Sequence, residues 1–108
     1  MKIGISLKDR CLGYLEEGNS GYVFYADVKE IDYCKSKYPI EMLMFKMPEE
    51  IVSRMDTIPA IYREYLQGAD REDIIERAKI SDDDSDFVKL YKIASINPEV
   101  INFKIFVK

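Results

Sequence analysis

Asp82-Asp83-Asp84-Ser85-Asp86 is the densest set of metal-ligand residue types in the chain, so the first chemistry to weigh is capture of a hard cation. A calcium loop of the EF-hand type opening at Asp82 needs Gly at its sixth position and a bidentate Glu at its twelfth. Those places hold Phe87 and Ile93. The run reads instead as a helix start, where acids gather because outward-pointing backbone N–H groups favour negative charge. The pairs Glu49-Glu50 and Glu72-Asp73 fall on helix faces expected to be solvated, whereas an acid–base couple needs a cleft that separates two pKa values. No metal, cofactor or catalytic residue is expected.

Nucleophilic chemistry fares no better. The chain has no His to activate a thiolate, and its two cysteines, Cys11 and Cys34, form no CxxC, so a redox role for either is not expected. The glycines make no GxxxxGK or GxGxxG phosphate cradle, and Gly18-Asn19-Ser20-Gly21 is spaced as a hairpin loop. An HRD and a DFG, which a protein kinase requires, are both absent. The expected role is therefore binding rather than catalysis.

Tyr62 and Tyr65 stand out as binding residues. With Ile61 and Leu66 they form an apolar stripe of one and a half helical turns, and Tyr is enriched at interface centres because a large apolar ring carries a polar tip. Ile61 and Leu66 are read as core, and at least one of the two tyrosines as a partner contact. Gly68 permits a sharp exit from the helix and leaves Gln67 at an exposed corner. The expected partner-binding set is Tyr62, Tyr65, Gln67 and Gly68.

Charge narrows the partner class. Sixteen basic residues against twenty acidic ones give a net charge of −4, and the basic residues are scattered singly among acids. A nucleic-acid binder normally shows a basic stripe, so no direct nucleic-acid contact is expected. The opening MKIGISLKDR fits neither a signal peptide nor a spanning helix, which points to the cytoplasm and reduced thiols.

The elements that must position these residues make one α+β domain over residues 1–108, a length that supports a single modest core. Alternation of Ile3, Ile5 and Leu7 predicts a first strand, Cys11 to Leu15 a second and Tyr22 to Tyr25 a third. Asp27 and Glu30 suggest a capped helix to about Lys35. Ile40 to Met47, bracketed by Pro39 and Pro48, is read as a buried strand, and Pro48 to Met55 as a helix. Further helices are expected over Ala60–Leu66, over Arg71–Lys79 after an Asp70 cap, and from a Ser81/Asp84 box to the break at Asn97-Pro98. Ile101, Phe103, Ile105 and Val107 mark a closing strand that should pair with the amino-terminal meander. The expected architecture is a small antiparallel sheet or partial barrel with three to four short helices.

The order of several short motifs resembles the amino-terminal subdomain of HipA-type serine/threonine kinases, and the length resembles HipS, its stand-alone form. Gly13-Tyr14-Leu15 matches a G-x-L segment, and Phe24 falls in a y-x-F-x-Y strand. Pro39 to Pro48 stands for a proline-bracketed strand, and Leu66-Gln67-Gly68 lies near an L-P-E-G corner. Ile80-Ser81-Asp82-Asp83-Asp84, with Phe87 and Leu90, matches an I-S-x-D-D-D-F-x-L-L helix start. Glu41, Lys46, Gln67 and the extra Ser85-Asp86 depart from the pattern. The resemblance implies a non-catalytic module that docks on a separate HipA-like kinase, most simply as an antitoxin of a toxin–antitoxin system. The kinase would hold ATP and the catalytic residues, and a HipB-like DNA-binding protein would be a further member of the complex. A structural subunit that completes and activates the kinase is the alternative; an unrelated small adaptor or nucleic-acid-associated protein is the second.

Overall fold

The computed structural model describes residues 1–67, 71–96, 99–100 and 102–108. Strands β1 (Lys2–Leu7), β2 (Arg10–Glu17) and β3 (Tyr22–Ala26) form the expected meander. Lys8 and Asp9 both take positive φ, at 51° and 66°, which gives the tight first hairpin the twist its strands require. Helix α1 (Val28–Lys37) starts at Asp27, whose side chain accepts from the Glu30 N–H as the capping box predicts. A one-turn α2 (Pro39–Met42), strand β4 (Val52–Met55) and helices α3 (Ala60–Leu66), α4 (Glu72–Ala78) and α5 (Asp86–Ala94) follow. Two-residue β5 (Glu99–Val100) and β6 (Phe103–Val107) close the chain.

The sheet is antiparallel throughout, in the order β4-β3-β2-β1-β6-β5, and it is an open sheet rather than a barrel. The closing strand pairs with β1 as its alternation implied, with Ile3 opposite Val107 and Ile5 opposite Ile105. Period two assigns each strand residue to a face. Ile3, Ile5, Leu7, Leu15, Phe24, Phe103 and Ile105 point to one side, fully or almost fully buried, and join Tyr62 of α3 with Phe87, Leu90 and Ile93 of α5 in a single core.

Two expectations fail together. Ile40 to Met47 forms no strand: it is the single turn of α2 followed by irregular chain that buries Met42, Phe45 and Met47 and exposes Ile40, Leu43 and Met44. Pro48 to Met55 is not a helix but ends in β4, which pairs with β3 through Tyr22–Met55 and Phe24–Ser53. The helix-start signal of Pro48-Glu49-Glu50 is local, whereas β3 offers a row of backbone groups that Val52 to Met55 satisfies. Phe45 stacks on Phe103 at 6.0 Å and anchors the preceding loop to the core without ladder bonds.

The helix after the acidic run begins four residues later than its sequence box. Ser85 caps α5 by accepting from the Val88 N–H, while Asp84 turns back and accepts from the Ser81 N–H at 2.8 Å. The expected signals at Gly68, Asp70, Asn97-Pro98 and Ile101 lie outside the described residues.

Candidate partner-binding surface

The four residues expected to meet a partner separate in the structure. Tyr62 is fully buried and Tyr65 is 3% exposed, so both belong to the core, which corrects the expectation that one would face a partner. The Tyr62 hydroxyl donates to the Ile3 carbonyl at 2.9 Å and the Tyr65 hydroxyl to the Phe103 carbonyl at 2.7 Å. These strand carbonyls each have a second lone pair, so they accept a side-chain donor as well as the sheet can use them. Burial pushes the Tyr62 phenol well above its ordinary value of 10, which keeps it protonated as a donor. Ile61 and Leu66, read as core, are instead only partly buried at the core's flank. Gln67 is exposed as expected, and Gly68 lies outside the described residues.

The acidic run is held by its own chain. Lys92 donates to Asp84 at 2.6 Å and to the Lys79 carbonyl at 3.0 Å, joining the end of α4 to α5. The Lys92 contact first, then the Ser81 N–H, holds the Asp84 carboxyl below its ordinary value of 3.8. Among the described residues no three His, Cys, Asp or Glu side chains gather as a metal site. Because the folded carboxyl titrates below the unfolded one, its stabilisation is present above the ordinary value and is lost as pH falls through the folded value. Asp84→Asn should therefore lower the melting temperature at neutral pH. The gap from the parent should close in melts run progressively below pH 4, and a gap that persists there would show that charge is not the source.

Both cysteines are free thiols, with Cys34 buried and its thiol pushed up chiefly by desolvation. Cys11 sits beside Tyr14 on the sheet face away from the helices, and its hydrogen-bonding to the phenol, followed by burial, pushes Tyr14 up to about 12. The Cys34 environment disfavours a thiolate nucleophile.

The feature the sequence reading missed is the surface of Ile40 to Val52. Ile40 is 77% exposed, Leu43 71% and Ile51 71%, with Met44 and Val52 about half exposed. These five are most of the large hydrophobic side chains that the described structure leaves in water. Pairing explains why this segment bears them: Met42, Phe45 and Met47 are drawn inward, which turns the intervening residues out. Met44 also edges a shallow recess of about 170 Å³, lined by Ala60, Ile61, Tyr65 and Phe103 and rimmed by Lys46 and Glu64. Ile51 and Val52 lie at β4, the edge strand, whose outer backbone groups face no other strand among the described residues. The Lys35–Glu49 ion pair ties the segment to α1. An apolar surface with a polar rim beside an open strand edge is suited to protein recognition.

No known protein family, curated protein or solved structure matches the chain. No helix among the described residues is long and apolar enough to cross a membrane.

Proposed function

We propose that the chain is a non-catalytic binding module that docks on a separate HipA-like serine/threonine kinase and regulates it, most simply as an antitoxin. The observation that carries the reading is the exposed apolar surface of Ile40 to Val52 beside the open edge of β4. The motif order in the sequence supports the choice of partner. A stable complex buries about 800 Å² per partner, and large apolar side chains set in a polar rim are the residues that drive such contacts. An added partner strand along β4 would pair its outer backbone groups and bring Ile51 and Val52 against the partner. ATP and the reacting residues then belong to the kinase chain, and the complex forms in the cytoplasm with Cys11 and Cys34 reduced.

The test is calorimetric titration against a HipA-like kinase core that lacks its own amino-terminal subdomain. Saturable binding is expected, with Leu43→Asp plus Ile51→Asp costing about 2 kcal/mol or more of affinity. The melting temperature of the double variant should stay close to the parent's, because both side chains already face water. Absence of binding at about 10 μM, weaker than about 7 kcal/mol, would overturn the reading. Kinase turnover measured on the same complex separates inhibition, the antitoxin role, from activation by a completing subunit.

A further inference from the structure

The face of the sheet turned away from the helices carries an ordered set of rings and cations. Pairing places Val52, Tyr25, Tyr14, Gly4 and Phe106 in one row across β4, β3, β2, β1 and β6. The row from Tyr25 to Phe106 spans three strand spacings, on the order of 14 Å. Phe106 lies flat over Gly4, where an added Cβ would fall 2.3 Å from its ring, and meets Tyr14 edge-on at 6.1 Å between centroids. All three rings remain partly exposed.

Cations flank this row on both sides. The neighbouring row holds Lys2, Glu16, Val23 and Arg54, with Lys108 beside Lys2; Lys104 lies on the other side, opposite Ser6. Lys2, Arg54, Lys104 and Lys108 thus share the face with Glu16, and Glu99 takes the register position opposite Lys104, so cations outnumber strand acids there on a chain whose net charge is −4. Lys108 sits 4.1 Å above the Tyr14 ring and Lys2 5.1 Å above the Tyr25 ring. Lys2 also approaches Glu16 at 3.9 Å, and the Tyr25 hydroxyl donates to the same carboxylate.

We infer that this face binds single-stranded nucleic acid, its bases stacking on Tyr25, Tyr14 and Phe106 and its phosphates meeting Lys2, Lys104, Lys108 and Arg54. The charge of the face complements a polyanion although the chain as a whole is acidic. The rings select among polyanions, because every base has a π-face whereas an acidic peptide has none to offer in series. A sheet that presents two or three rings to successive unstacked bases is a known physical solution for single strands. Lys2 and Lys108 hold the ring faces in the free protein, and their flexible stems let them move from ring to phosphate as a base arrives. This inference rests on other observations than kinase docking, although the two surfaces meet at β4, where Val52 and Arg54 lie.

The experiment is fluorescence anisotropy of a labelled oligothymidylate of about 12 nucleotides at about 50 mM salt, using the whole chain. Expected is a Kd between about 1 and 100 μM that weakens with salt at a log–log slope of roughly −2 to −3, the release from three or four phosphates. A duplex of the same length should bind at least about tenfold more weakly, since its bases cannot reach the rings. Lys108→Ser with Arg54→Ser, and separately Phe106→Leu, should each weaken binding about fivefold or more with the fold retained by circular dichroism. No binding at about 200 μM protein would overturn the inference, as would equal displacement by polyglutamate, which would mark an acidic-peptide site. Unchanged affinity in both folded variants would do the same, because the strand would then bind elsewhere. Should one variant fail to fold, the other decides.

Discussion

Replacing Tyr62 by Ala should destabilise the domain by about 4 kcal/mol, the cost typical of deleting a buried aromatic side chain. The ring is fully buried, meets Phe24 edge-on at 6.4 Å between centroids, and anchors α3 to the centre of the sheet. A domain of this size has roughly 5–15 kcal/mol in total, so the melting temperature should fall by roughly 20 °C. Tyr62→Phe keeps the ring and removes only the bond to the Ile3 carbonyl, so it should cost about 1 kcal/mol. Comparing the two melts assigns the effect to ring packing or to the hydroxyl. A Tyr62→Ala melt within a few degrees of the parent's would mean that the side chain faces outward after all.

Gly13→Ala should be nearly as damaging, at about 3 kcal/mol. The register between β1 and β2 slips between Ile5 and Ser6, so that Leu12 is an extra residue and Gly13 pairs with Ile5 at φ 157°. An added Cβ would stand 2.5 Å from the Phe24 ring and 2.5 Å from the Tyr25 carbonyl oxygen. Neither neighbour can yield easily: Phe24 is fully buried, and the carbonyl belongs to β3, which is paired on both sides. A chemical denaturation curve with unchanged slope and a shifted midpoint would fit this account. A midpoint equal to the parent's would mean that the bulge relaxes without cost.

Sequence alone determined those elements whose instructions are local. Alternation of Ile3, Ile5 and Leu7, and of Phe103, Ile105 and Val107, set two strands and their buried side, because a period of two leaves only one face apolar. Asp27 and Glu30 marked the start of α1 because a cap and its donor lie within one turn. The stripe on α3 was visible too, but its orientation was not: Ile61, Tyr62, Tyr65 and Leu66 span a wide arc. Which part of that arc faces inward depends on carbonyls of Ile3 and Phe103, which lie far along the chain.

Tertiary structure decided the rest wherever a residue's partner is distant in sequence. Val52 to Met55 became a strand because β3 had an edge to fill, and that pairing overrode the helix signal of Pro48. The same outcome turned Ile40, Leu43 and Ile51 to the surface, so a run that reads as buried strand became the candidate docking surface. Lys2, Arg54, Lys104 and Lys108 are scattered singly through an acidic chain, and only the pairing of five strands brings them to one face. Net charge is a sum over residues and carries no information on where they gather, so the sequence fixes the balance of −4 and the fold alone creates the basic face.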